Sequence, residues 1–436
     1  MTANKPISQS AFDERAKALD LPKKFAIAVS GGRDSIALAR LAAGYAKATG
    51  AEVLALTVDH GLRPEAAKEA AKVSQWCAAM GLSHRLLRWA GEKPQTGIQA
   101  AARSARYRLL IEAAQSDGCE AILTAHSLDD QAETVFMRLG RGAGPRGLSA
   151  MKEETWVAAG AGEPIRLLRP LLGFRRLDIT RFLDEAGQDY VDDPSNDDPT
   201  YERVRARAVI GALEEQNLLT AAALAKTAEE MGRAHRRHCA QEEAAFEAQD
   251  GKFYRWGGVS LNPDPKTDLD VMTGLLRRLI YSVGGAVHYP NQDQARSAYS
   301  QVTATGTATL GGALLKMRKD MLWIIREPAA ITGRADITPL GRVPLDQPIL
   351  WDNRFIITSQ AGFSGEIGPL TENDIAQLAA GSGFFEGPKE ALATLPGIYA
   401  DGILIGAPAL LFNQTEAAVL RSLTPERYVS EIVRFS

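Results

Sequence analysis

The chain has 436 residues, of which 45% are hydrophobic and 24% charged, and its net charge is −3. At about 150 residues per domain that length makes two or three domains, and the composition is that of a globular protein able to build proper cores. The charge balance excludes a strongly basic protein that holds nucleic acid through its overall field, so any such binding must use a local basic patch. The cysteines Cys77, Cys119 and Cys239 contain no C-x-x-C pair, which excludes a thioredoxin-like motif and argues against a disulfide framework or structural zinc. The opening MTANKPISQSAFDERAKAL lacks an apolar h-region, and no run of ~18 apolar residues follows, so a cytoplasmic protein without a membrane segment is expected.

In chain order, the first half alternates short apolar runs with longer alanine-rich periodic segments. The expected strands are Phe25–Ser30, Glu52–Asp59, Ser83–Trp89, Ala121–His126 and Ile165–Leu171. The expected helices are Asp34–Thr49, Pro64–Met80, Thr96–Ser116 and Ser127–Leu139, with Pro64 at a first helical position and Gly50, Gly81 and Gly118 as stops. Such alternation predicts βαβ units and a mostly parallel sheet covered by helices on both faces. Ligands of such sheets sit beyond the carboxyl ends of the strands, at the topological switch point.

The second half changes character. Leu213–Glu247 reads as polar helix and carries the basic cluster Arg233 to His238, and a further helix is expected around Val271–Tyr281. A hairpin of Ala313–Arg318 and Met321–Arg326 turns at Lys319-Asp320. Residues 328–348 are rich in Pro and Gly and read as a linker. Short strands at Arg354–Thr358, Gly402–Ile405 and Ala409–Phe412 suggest a small α+β module. The expected organisation is an α/β domain over 1–212, a helical and hairpin domain over 213–328 and a small α+β domain over 340–436.

Chemistry concentrates where strands end. Ser30-Gly31-Gly32-Arg33-Asp34-Ser35 joins a strand to a helix, so backbone N–H groups and a helix N-terminus converge on one point, an anion site. The glycines allow close backbone approach, and the Ser30 and Ser35 hydroxyls add donors. The Gly-Lys-Ser/Thr end of a Walker A loop is absent. A nest without that lysine, but with Asp34, suits pyrophosphate held through Mg²⁺ while the α-phosphorus is attacked. The plain alternative is a strand–helix turn of small residues with a helix-start acid.

This loop resembles the signature of the N-type ATP pyrophosphatases, the PP-loop superfamily. The resemblance implies an adenine nucleotide alpha-hydrolase-like fold: a doubly wound five-stranded parallel sheet, followed here by a helical region and the small C-terminal module. Further segments narrow the resemblance. They are Val58-Asp59-His60-Gly61-Leu62-Arg63, residues 97–107 (GIQAAARSARY), His126 to Thr134 (HSLDDQAET), Arg141 to Met151, Arg169-Pro170-Leu171-Leu172 and Asp193-Pro194-Ser195-Asn196. Together they resemble the tRNA(Ile)-lysidine synthetase family through about residue 210, and more loosely beyond. The family resemblance implies a carbon–nitrogen ligase that uses ATP to adenylate C2 of the wobble cytidine in tRNA(Ile) with a CAU anticodon. Free L-lysine then displaces AMP to leave lysidine.

The residues support that chemistry in their own right. His126, Asp129, Asp130 and Glu133 stand at a strand end and a first helical turn, and Asp130 and Glu133, three apart, share one helical face. Two carboxylates there can bind the ammonium of lysine, and one can accept its proton; the alternative is ordinary helix-start acids with a capping histidine. Arg103 and Arg106 share a face of the third helix and can neutralise charge on the α-phosphate or pyrophosphate, with Arg103 favoured by the family. Val58 offers backbone contacts to adenine, and His60 is either a nucleotide contact or a structural residue.

For tRNA the candidates are Arg138, Arg141, Arg146, Arg166, Arg169, Arg175 and Arg176, followed by Arg203, Arg205 and Arg207, which would position the backbone without reading sequence. Pairing with nearby acids is the alternative for about half of them. The family has Asn after the arginine that matches Arg203; here Val204 stands there, which puts a side-chain role at that position in doubt. The competing functions are a tRNA thiolase, against which the lack of paired cysteines counts, and a non-catalytic nucleotide- or tRNA-binding protein. Arg277, Arg278, Lys316, Arg318 and Lys319, with Arg233, Arg236 and Arg237, are the candidates for contacting the tRNA body.

Overall fold

The computed structural model describes residues 7–61, 66–91, 93–94, 96–192, 198–286, 288–333, 340–359, 363, 365–381, 385–410, 418–429 and 432–435. Leu62, Arg63, Pro64 and the Asp193–Asn196 motif lie outside them. The chain forms two compact units, Met1–Arg236 with Ile432–Ser436, and Arg237–Glu431.

The first unit contains the helices α1 Gln9–Ala18, α2 Arg33–Thr49, α3 Ala66–Ala79, α4 Ile98–Ser116, α5 Leu128–Leu139, α6 Pro145–Leu148, α7 Arg176–Glu185 and α8 Glu202–Glu215. Its strands are β1 Lys24–Ala28, β2 Glu52–Asp59, β3 Ser83–Arg88, β4 Ala121–Leu123, β5 Glu154–Ala159 and β6 Ile165–Leu168. A ninth helix, α9 Ala221–Ala248, runs on through the division at residue 236. Strands β3, β2, β1, β4 and β6 lie side by side and parallel, so all five expected strands are present. The sheet is wider than those five: β5 pairs antiparallel with β6, and the terminal strand Val433–Phe435 pairs parallel with β5.

Alternation along β1 builds both faces. Phe25 and Ile27 point into a core with Phe12, Ile36, Leu41, Val73 and Ile179, while Ala26 faces Leu56, Tyr107, Leu110 and Ile111 on the other side. A sheet buried on both faces needs this apolar content throughout. Gly50 closes α2 in the left-handed region at φ 75°, its N–H donating to the Ala46 carbonyl at 2.8 Å. Strand order reverses direction about β1, and the loops after β1 and β4 open at the same end of the sheet.

The second unit holds a five-stranded antiparallel sheet in the order Lys252–Phe253, Val259–Leu261, Met321–Arg326, Ala313–Arg318, Thr307–Leu310. The helices Leu269–Val283 and Gln292–Thr305 share a core with it. The expected hairpin is there with its turn: Lys319 and Asp320 take φ of 50° and 67°, the two left-handed residues of a type I′ turn. A four-stranded and a three-stranded sheet follow. The expected strand Ala409–Phe412 is instead a 3₁₀ turn at Pro408–Leu410 in its described part. The long polar helix expected over Leu213–Glu247 is two helices, α8 and α9, broken between residues 216 and 220. Among the described residues no helix is long and apolar enough to cross a membrane.

Candidate active site

The phosphate loop is held from both ends. After β1, the Val29 N–H donates to the Leu56 carbonyl at 2.8 Å, and Gly31 then turns with φ 91°. The Val191 N–H donates to the Gly31 carbonyl at 2.8 Å. A Cβ on Gly31 would sit 2.9 Å from Val73 Cγ2, so only glycine fits. Ser35 braces the turn: its hydroxyl donates to the Gly32 carbonyl at 2.8 Å and accepts from the Ser30 N–H at 3.2 Å, with the Ser30 hydroxyl 3.2 Å away. Gly32 is the N-cap of α2 and no side chain caps it. The first-turn N–H groups are therefore open to an anion without a competing N-cap side-chain acceptor, and the dipole of a 17-residue helix adds to them.

Asp34 stands in that first turn. Arg33 Nε donates to Asp34 Oδ1 at 3.2 Å, and Arg176 Nε lies 3.6 Å from Asp34 Oδ2. Burial pushes the Asp34 carboxyl above its ordinary value, against the pull of Arg176 and Arg33 and with the help of nearby Asp130.

Helix α5 supplies the second carboxylate group. Ser127 and Asp130 form a capping box: Asp130 Oδ2 accepts from the Ser127 N–H at 2.7 Å and from its hydroxyl at 2.9 Å. That leaves Asp130 Oδ1 for Arg176 Nη2 at 3.0 Å and Arg203 Nη2 at 3.5 Å. Burial acts to raise the Asp130 pKa, but Arg176, Arg203 and the Ser127 N–H outweigh it and hold the carboxyl below its ordinary value. Glu133, one turn on, is only 1% exposed and takes three guanidinium groups. Arg176 Nη1 reaches its Oε1 at 3.0 Å, Arg207 Nε the same oxygen at 2.9 Å, and Arg203 Nε its Oε2 at 2.7 Å. His126 sits among these charges, its Nδ1 3.0 Å from Thr124 Oγ1. Desolvation, with Arg169, Arg203 and Arg106 nearby, pushes its imidazole down to about 3 against the pull of Asp130, so it is neutral near pH 7.

The structure thus brings Asp34, His126, Asp130, Glu133 and Arg203 together, and adds Arg176 and Arg207. Arg176 stood among the tRNA-facing arginines in the sequence, and no local spacing marks it. Arg207 had a signal, since it follows Arg203 by four residues and shares its helical face. Arg205, two residues from each, points away and donates to the Pro199 and Thr200 carbonyls at 2.7 and 2.9 Å. Asp129 is engaged with α7: its Oδ2 accepts from the Arg176 backbone N–H at 2.6 Å, and its Oδ1 from Arg175 Nε at 3.3 Å.

Across the sheet, Arg103 and Arg106 lie over the Tyr107 ring at 5.0 and 5.3 Å, and Tyr107 stacks on Phe435 at 4.6 Å. His60 follows β2, edge-on to Trp89; burial and nearby Arg106 lower its pKa. Val58 lies in β2, opposite Leu87. Arg141 is exposed and paired with Glu202. Arg138 braces the Gly147 and Ala150 carbonyls, Arg166 holds Glu154 and the Leu19 carbonyl, and buried Arg169 holds the Lys152 carbonyl and Thr155. In the second unit, Arg278 is buried between Glu242 and Glu243 and donates to the Tyr428 carbonyl at 2.8 Å. Arg277 donates to the Pro290 carbonyl, and Lys316 pairs with Glu390, whereas Arg237 and Lys319 are exposed.

A doubly wound sheet, a Ser-Gly-Gly-x-Asp-Ser loop at its switch point and an acidic helix start across from it define a PP-loop ATP-binding domain, and residues 5–213 match the PP-loop domain family. A tRNA(Ile)-lysidine synthase from Bradyrhizobium sp. (strain BTAi1) is 40% identical over 325 residues, covering 69% of this chain and 89% of that protein. The enzyme of that name from Ruegeria pomeroyi is 32% identical over 94% of both chains, and that of Rhodopseudomonas palustris is 50% identical over 43% of this chain and 53% of its own. The chain belongs to the tRNA(Ile)-lysidine synthase family. Among solved structures, a U34-tRNA thiolase from Methanococcus maripaludis aligns with 51% of this chain and 78% of its own at 17% identity and a TM-score of 0.43.

Proposed function

We propose that this protein ligates L-lysine to C2 of the wobble cytidine of tRNA(Ile) with a CAU anticodon, through an adenylated cytidine, releasing AMP and pyrophosphate. Membership of the family makes it an ATP-using ligase that forms a carbon–nitrogen bond. The observation that carries the reading is the junction of two sites: a phosphate loop with its acid, Asp34, and a buried carboxylate pair, Asp130 and Glu133, that share one arginine.

In the first half-reaction the loop N–H groups of residues 31–35 hold the ATP phosphates, and Arg103 and Arg106 offset the charge that develops as the cytidine O2 attacks the α-phosphorus. Asp34 fits a Mg²⁺ ion, because magnesium is commonly bound by one or two carboxylates together with substrate phosphates; the ion would supply neutralisation of the pyrophosphate leaving group. Val58 and His60 line the adenine side. In the second half-reaction the lysine amine is taken between Asp130 and Glu133, replacing contacts that the part-exposed Arg203 makes with both acids, with His126 a neutral imidazole beside it and Asp129 fixing α7. As the amine bonds to C2, its proton passes to a carboxylate of this pair and AMP leaves with the C2 oxygen. Arg203 and Arg207, held by Glu133, face the departing phosphate. Arg141, exposed beside Glu202, contacts the tRNA backbone, and the region from 213 onward reads the tRNA body through exposed cations such as Arg237 and Lys319. A cytoplasmic location follows from these substrates.

Sulfur transfer fits the chain poorly. Burial pushes the Cys77 and Cys119 thiols up to about 11, far from the thiolate that persulfide chemistry needs. Incubating the protein with ATP, Mg²⁺, radiolabelled lysine and tRNA(Ile) tests the reading. ATP-dependent label in the tRNA, lost when the wobble cytidine is replaced by uridine, is expected; no incorporation would overturn it.

A further inference from the structure

We propose that Arg176 is the positioning residue that joins the two half-reaction sites, its one guanidinium fixing the phosphate-loop acid Asp34 against the amine-site acids Asp130 and Glu133. This rests on the lysidine-forming reading above and assigns within it a residue whose sequence context suggested only tRNA backbone contact. The geometry uses each nitrogen once: Nη1 to Glu133 at 3.0 Å, Nη2 to Asp130 at 3.0 Å and Nε toward Asp34 at 3.6 Å. The side chain is 14% exposed, so this guanidinium is committed inside the site rather than offered to a nucleic-acid backbone.

The backbone beneath it is fixed as well. Asp129 accepts the Arg176 N–H at 2.6 Å, capping the start of α7 from another element. Arg175, one residue before, is pinned to Asp129 and to Glu214 at 3.1 Å. The fork therefore enters the site from a stationary point, and small shifts of α5 relative to the phosphate loop are resisted by it.

Charge explains why the loss would be felt at the seam. Without Arg176, Glu133 keeps Arg203 and Arg207, and Asp130 keeps Arg203 and its capping bonds. Among the described residues Asp34 then keeps only Arg33, and it faces the like charge of Asp130, whose influence already reaches it. The two acids would move apart, separating the phosphate loop from the amine site by the sort of sub-ångström to ångström displacement that costs reacting groups their alignment. Lysine cannot substitute, because its three donors radiate from one nitrogen and do not reproduce the rigid spread of Nε, Nη1 and Nη2 by which the guanidinium reaches three separate acids.

Two half-reactions measured separately test this: AMP transfer from ATP to tRNA with lysine omitted, and lysine-dependent AMP release from preformed adenylated tRNA. In Arg176→Ala both rates are expected to fall at least tenfold, and Arg176→Lys is expected to recover neither. Millimolar guanidinium ion is expected to raise both rates severalfold in Arg176→Ala and not in the wild type, a rescue that a general packing defect would not give. Arg181→Ala, an exposed arginine on the same helix, controls for charge loss and should leave both unchanged. Loss of only one half-reaction, wild-type rates in either Arg176 variant, or no guanidinium rescue would overturn the role. Wild-type protein assayed alongside separates the two ideas, since failure of the wild type to transfer AMP overturns the proposed activity itself.

Discussion

Replacing Glu133 by Gln removes one buried negative charge from beneath three guanidinium groups. The substitution is nearly isosteric, but the new amide presents N–H donors to Arg176, Arg203 or Arg207, which are themselves donors only. Arg203 and Arg207 are 40% and 38% exposed and can recover hydration, so their share of the loss is discounted. Arg176 is not so placed. Breaking a buried pair by removing one partner costs about 3–5 kcal/mol, and with Arg176 retaining Asp130 and Asp34 the lower end, roughly 3 kcal/mol, is expected. For a unit of this size that lowers Tm by roughly 6–12 °C. Calorimetry on wild type and Glu133→Gln reads the shift. Steady-state kinetics should then show the lysine KM rising more than the ATP KM, since α5 carries the proposed amine site. A Tm within about 2 °C of wild type would contradict this, because Glu133 would then hold no buried arginine in place.

Asp34→Ala should abolish AMP and pyrophosphate formation while leaving the circular dichroism unchanged; substantial turnover in the folded variant contradicts its role. Gly31→Ala meets both an unfavourable φ and Val73 at 2.9 Å, so AMP transfer should fall about a hundredfold from a displaced loop, and rates near wild type would show that the loop tolerates the methyl. His126 makes stability pH-dependent: its folded pKa lies at about 3, below the unfolded value near 6.5, so the unfolded chain binds the extra proton between them. Stability should therefore drop as pH falls from about 6.5, by up to about 1.4 kcal/mol per unit. His126→Gln should flatten that slope, leaving the Asp130 contribution, which is lost only as pH falls below the ordinary carboxylate range. Charge reversal at Arg236 and Arg237 should weaken tRNA binding and lower its salt slope by roughly one for each phosphate left without its cation, while ATP binding stays as it was; filter binding across a salt series checks both.

The phosphate loop was legible because its own pattern is local, a strand, two glycines and a helix start, although Val191 and Val73, which fix Gly31, come from elsewhere in the chain. The face shared by Asp130 and Glu133 was legible for the same reason, since three residues along a helix keep the same side. What these acids touch was not. Arg176 lies 43 residues along the chain from Glu133, and its direction depends on Asp129 capping α7, a bond that no local pattern encodes. Arg203 and Arg207 could be paired by helical phase, and the same phase sets Arg205 outside the cluster. The extra strands escaped for a different reason. Val433–Phe435 is too short to show a period, and Glu154–Ala159 leaves Trp156 exposed, so neither run looked like sheet.

On the proposed mechanism, a nucleotide bound at the loop after β1 passes its AMP to tRNA before the amine site acts. The most direct measurement uses ATP labelled at the α-phosphorus with tRNA(Ile) of CAU anticodon, first without lysine and then with it. Label should accumulate on the tRNA in the first stage and be released as free AMP when unlabelled lysine is added, in proportion to lysidine formed. Label that never enters the tRNA, or that stays there after lysine is added, would contradict the order of chemistry the site implies.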